Sequence, residues 1–112
     1  MLEKTEQMIL LMDFYQAMLT EKQQEALELY YEDDLTLSEI ADKMKISRQA
    51  VHDMVQRSEN ILQQMEAKLE LLARFQANRN NLEEIIQKVE NLTDLSEKET
   101  VLTSLKLLWA SL

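Results

Sequence analysis

The chain has 112 residues and a net charge of −9, and it contains no Gly, no Pro and no Cys. At average usage it would carry about eight Gly and five or six Pro, so their joint absence excludes Gly-rich phosphate loops, dinucleotide fingerprints and strained nucleophile elbows. Without Cys there are no disulfides, thiol nucleophiles or Cys-ligated zinc, and a single His leaves no partner for a His-rich metal site. The expectation is a single small helical domain over residues 1–112, not an enzyme, with no cofactor and no metal. No apolar run reaches the length of a membrane span, so no membrane partner is expected and the compartment is read as cytoplasmic.

The first predicted element, about Glu3 to Leu19, places Met8, Leu11, Met12, Tyr15, Met18 and Leu19 three and four apart on one helical face. A Met-rich stripe of this kind is most simply core. Thr20 and Gln23 have capping-box spacing and open a second helix from Glu21 to about Tyr31, burying Ala26, Leu27, Tyr30 and Tyr31. The acids Glu32, Asp33 and Asp34 oppose the helix dipole there and predict a stop; they lack the alternation and Gly of a calcium loop.

Thr36 and Glu39 repeat the capping-box spacing and start a short helix, Leu37 to Met44. Ser47 offers the next N-cap. Beyond it Val51, Val55, Ser58, Leu62, Met65, Leu69 and Leu72 keep a 4-3-4-3 rhythm, which predicts one helix of roughly seven turns packed along a partner helix. That seam is filled either inside the chain or by a second copy, giving a homodimer through the long helix; the spacing leaves both open. Asn78-Arg79-Asn80-Asn81 is read as a breaker. A helix with Leu82, Ile85, Ile86 and Val89 should follow it to about Asn91, with Glu83 and Glu84 as helix-start acids. Thr93 to Ser96 reads as a turn and Ser96 with Glu99 as a further capping box. The last helix sets Val101, Leu102, Leu105, Leu108 and Trp109 on one side, Trp109 serving equally well as a core residue or a partner anchor. Residues 78–112 thus form a helical extension.

Only Leu35 to Arg57 exceeds the pattern of an amphipathic helix. It reads as a helix-turn-helix over about residues 36–57: a first helix, a tight turn at Lys45-Ile46, and a second helix from Ser47. Ala41 is small where the helices cross, and Ile40, Met44, Ile46, Val51 and Met54 wedge between them. Arg48, Gln49, His52, Gln56 and Arg57 then face outward, the arrangement that points side chains into a major groove. Lys43, Lys45, Arg48 and Arg57 against Asp53 make this the one locally positive window. Lys43, Lys45, Arg48, Gln49, His52, Gln56 and Arg57 are therefore the candidate nucleic-acid contacts. His52 has no paired nucleophile or ligand cluster and is most simply a solvated side chain. The turn position that many such motifs give to Gly is Lys45, Asp53 would face phosphates, and the net charge opposes DNA at long range.

From Leu19 to Leu62 the chain resembles the fourth region of bacterial sigma factors. The shared features are the TE-x-x-x-x-A-L-x-L-x-Y opening from Thr20, the SEIA-x-x-M core from Ser38, and S-R-x-x-V from Ser47. With the N-terminal EK-x-x-x-M-x-x-L-x-DFYQAMLT run and the helical tail, the whole chain resembles the YlxM family of small helix-turn-helix proteins of mainly Gram-positive bacteria. The resemblance implies an all-α bundle with a sigma-like helix-turn-helix. It also implies DNA-binding ancestry and a regulatory role beside the signal recognition particle, with that particle's GTPase or RNA as partner. A sequence-specific DNA-binding regulator is the alternative.

Overall fold

The computed structural model describes residues 3–93 and 97–112. Its architecture is all-α, with no strand among the described residues: α1 (Lys4–Tyr15), α2 (Glu21–Leu27), α3 (Leu37–Met44), α4 (Arg48–Leu69), α5 (Leu71–Glu90) and α6 (Lys98–Ser111). The chain divides into two compact units, residues 1–72 and 73–112.

In the first unit α1 buries Met8, Leu11, Met12 and Tyr15, the expected stripe. The chain then tightens into a 3-10 turn over Gln16–Met18. Three residues per turn instead of 3.6 changes the phase, so Met18 is exposed, against expectation, while Leu19 stays buried. Thr20 and Gln23 form the capping box that opens α2: the Gln23 amide donates to the Thr20 hydroxyl at 3.1 Å and the Thr20 amide to Gln23 Oε1 at 3.0 Å.

After Leu27 the helix widens into a π turn over Glu28–Glu32, with the Asp33 amide reaching back to the Glu28 carbonyl. In this turn Leu29 and Tyr31 are both buried, while Tyr30 is half-buried. Asp34, at φ 55°, ends the run, and the Leu35 amide returns to the Leu29 carbonyl. This is the stop expected at Glu32–Asp34. The Tyr31 hydroxyl donates to the Glu59 carboxylate, which Lys4 Nζ also approaches at 3.7 Å. Burial first, then the bond to Glu59 and its charge, push the Tyr31 pKa up, so the phenol remains a donor.

α4 packs across α1, α2 and α3. Val51, Val55 and Leu62 face inward, and buried Ser58 fills the gap between them by donating its hydroxyl to the Met54 carbonyl at 2.7 Å. The seam from Val51 to Leu62 is thus filled within the chain, and a homodimer built on it has no free seam there. Ala41 is buried beside fully buried Ile40 and Val51, with Met44, Ile46 and Met54 packed against the same core. Ala41→Leu should therefore cost about 1–3 kcal/mol by overpacking, read as a lower urea midpoint; wild-type stability would show that there is room at the crossing.

The long helix does not run its seven turns. It stops after Leu69, 22 residues and about six turns, because Glu70 is left-handed at φ 55° and ψ 32°. The break is made from a distance. Tyr15 donates its hydroxyl to Glu66 Oε1 at 2.7 Å and accepts from the Leu71 amide at 3.1 Å, and the Leu72 amide donates to the same Glu66 oxygen at 3.0 Å. Two amides that a continuous helix would turn toward its own carbonyls are instead held by α1 and by the last turn of α4.

α5 then passes straight through Asn78–Asn81, so the expected breaker is helix interior and Glu83 and Glu84 are mid-helix residues. Asn disfavours a helix by only a few tenths of a kcal/mol, and Arg79 is held: its guanidinium lies 3.8 Å from the Trp109 ring centroid and 5.5 Å from that of Phe75. With the Lys106–Glu90 pair at 3.6 Å, this contact ties α6 to α5. Leu82 and Leu102 are buried in this unit. The turn read at Thr93–Ser96 and the cap read at Ser96 fall on or run into residues outside those described.

Candidate nucleic-acid interface

α3 is capped as the spacing required. The Glu39 amide donates to the Thr36 hydroxyl at 3.1 Å and the Thr36 amide to Glu39 Oε1 at 3.0 Å. The backbone bond from Thr36, and then its hydroxyl, hold the Glu39 carboxyl below its usual value. At the other end the amides of Lys45 and Ile46 both fall on the Ala41 carbonyl, which requires Lys45 to be left-handed, at φ 58° and ψ 44°. A side chain with a Cβ pays for that conformation. Lys45→Gly should raise stability by about 1 kcal/mol, checked by urea unfolding; a loss would mean that the lysine stem contributes packing worth more than the relieved strain.

Ser47 Oγ accepts from the Ala50 amide at 3.0 Å and starts α4. Of the seven candidate residues, Lys43, Lys45, Arg48, Gln49, Gln56 and Arg57 are exposed and His52 is half-buried. At 100° per residue, Gln49, His52, Asp53 and Gln56 form a strip opposite the buried Val51–Val55–Leu62 side, with Arg48 and Arg57 on its two flanks. The strip is partly tied to itself. The Gln49 side-chain amide donates to Asp53 Oδ1 at 3.1 Å, and His52 Nδ1 stands 3.6 Å from the same oxygen, beyond hydrogen-bond reach. Asp53 therefore sits in the middle of the outward face with Gln49 leaning on it. Asn60, not among the seven candidates, is exposed and continues the strip four residues after Gln56, an i+4 spacing legible in the sequence. Among the described residues, no three His, Asp or Glu side chains converge as metal ligands would, and no helix is long and apolar enough to cross a membrane.

A short capped helix, a left-handed turn and a longer Ser-capped helix with its polar side outward define a helix-turn-helix protein. The family described as "Putative helix-turn-helix protein, YlxM / p13 like" matches residues 2–102. The chain belongs to this family, UPF0122. It is 45% identical over 104 residues to the YlxM protein of Bacillus subtilis, covering 93% of this chain and 91% of that one. It is 44% identical over 105 residues to UPF0122 proteins of Halalkalibacterium halodurans and an Exiguobacterium species. Those matches span 94% of this chain and 96% and 98% of the relatives. The family's description names a motif and no reaction.

Proposed function

We propose that this protein is a regulatory helix-turn-helix protein that binds duplex DNA with α4 in the major groove. One observation carries the reading: Gln49, Asp53 and Gln56 stand exposed on α4 beyond its capped start, flanked by exposed Arg48 and Arg57, an arrangement suited to a groove with phosphates on either side. Lys43 and Lys45, at the end of α3 and in the turn, extend the positive window toward the backbone. Gln49 and Gln56 carry the paired donor and acceptor that base edges require. The test is anisotropy of a labelled random-sequence duplex at low salt: micromolar or tighter binding that weakens steeply as salt rises is expected. No binding at low salt would sink this reading.

A second reading, an accessory factor of the signal recognition particle, is favoured by charge. Residues 1–72 hold seven basic and fifteen acidic side chains, a balance suited to a basic protein surface. The particle's GTPase and RNA belong in the same titration; binding there without DNA binding would make the helix-turn-helix a scaffold for those contacts.

A further inference from the structure

The second unit leaves much of its apolar surface uncovered. On α6 and the residue that ends it, Val101, Leu105, Leu108 and Leu112 follow one another at 4-3-4 spacing; Val101 is 41% exposed, Leu108 53% and Leu112 39%, with Leu105 half-buried. Ile85 on α5 and Leu92 just beyond it, seven residues apart, are 46% and 55% exposed. Against these, among the described residues of 73–112, Leu82 and Leu102 are buried.

Two helices in about forty residues lie at the size below which a chain seldom holds itself together without a metal, a disulfide or a partner. Cys is absent from the sequence, so no disulfide can close this unit. So small a core asks for a further apolar surface, and the 4-3-4 stripe is the pattern by which one helix receives the side chains of another.

Charge decides what that surface is. Residues 73–112 carry five basic and six acidic side chains, a near balance, whereas residues 1–72 carry the rest of the −9. From Thr100 to Leu112 the only charge is Lys106. Such a face offers nothing to a nucleic acid or a strongly charged protein, and it meets no repulsion from its own kind. We infer that residues 73–112 are a self-association module. The Val101–Leu112 face of α6, with Ile85 and Leu92, packs against the same face of a second copy, and two hairpins close into a four-helix bundle. This inference is independent of the DNA reading and uses none of the α4 seam.

Sedimentation equilibrium of the full chain from about 1 to 100 µM tests it. The expected result is a species of twice 13.2 kDa that dissociates on dilution. Val101→Glu and Leu108→Glu, both at exposed positions, should each raise the dissociation constant at least about tenfold with helicity by circular dichroism unchanged. Because the chain has no Cys, Ser104→Cys beside the stripe gives a second measurement: on oxidation it should form a disulfide-linked pair, while Asn60→Cys on α4 should not. Monomer mass across the whole range overturns the inference. So does a dimer insensitive to both glutamate substitutions, or one that crosslinks through position 60 and not through 104.

Discussion

Replacing Glu66 by Ala should cost roughly 3 kcal/mol or more. The Glu66 carboxylate accepts from the Tyr15 hydroxyl and from the Leu72 amide, and bonds to a charged acceptor contribute about 1.5–3 kcal/mol each. Against the 5–15 kcal/mol of a typical domain, that is a large share. Urea unfolding should show a lower midpoint at constant slope. Glu66→Gln retains an acceptor oxygen without the charge and should fall between the two. Tyr15→Phe removes the other half of the clasp, the hydroxyl that the Leu71 amide uses. Wild-type stability in the Ala variant would mean that the break at Glu70 is held by something other than this carboxylate.

Substituting Lys43, Lys45, Arg48 and Arg57 together by Ala should weaken duplex binding by about a hundredfold or more at low salt. If the four cations meet phosphates, the logarithm of the affinity falls with that of salt at a slope of about 3.6. The wild-type protein then loses roughly two orders of magnitude between about 50 and 200 mM salt. The quadruple variant should show a slope near zero and unchanged helicity, since all four side chains are exposed. Asp53→Asn should act oppositely, strengthening binding by removing a carboxylate from the outward face and loosening its hold on Gln49. A wild-type slope in the quadruple variant would move the contact surface elsewhere on the molecule.

The parts of this fold that sequence reveals are those made by near neighbours. Thr20–Gln23, Thr36–Glu39 and Ser47 each satisfy amides three residues away, so the starts of α2, α3 and α4 could be placed from spacing alone. The break at Glu70 could not. It depends on Tyr15, 51 residues before Glu66, and nothing local distinguishes Glu70 from an ordinary helical glutamate. Asn78–Asn81 misled in the opposite sense: a local preference for turns gave way to a long amphipathic helix and to Arg79 stacked on Trp109. The site divides in the same manner. Which residues of α4 face outward followed from the 3.6-residue period, whereas the Gln49–Asp53 bond depends on rotamers that spacing does not specify. Lys45 lies between: its place in the turn was legible, and its left-handed backbone followed once the amides of Lys45 and Ile46 were found on the Ala41 carbonyl.

The chain's only tryptophan is Trp109, its ring covered by the Arg79 guanidinium, while its three tyrosines, Tyr15, Tyr30 and Tyr31, all belong to residues 1–72. Nature has in effect labelled the two units with different chromophores. Excitation at the red edge reports the helical hairpin alone, and the tyrosine band, once the Trp109 contribution is subtracted, reports the helix-turn-helix unit. One denaturant titration of the unmodified protein therefore yields two separate melting curves, and their coincidence or separation measures how far the halves of this chain depend on each other to fold.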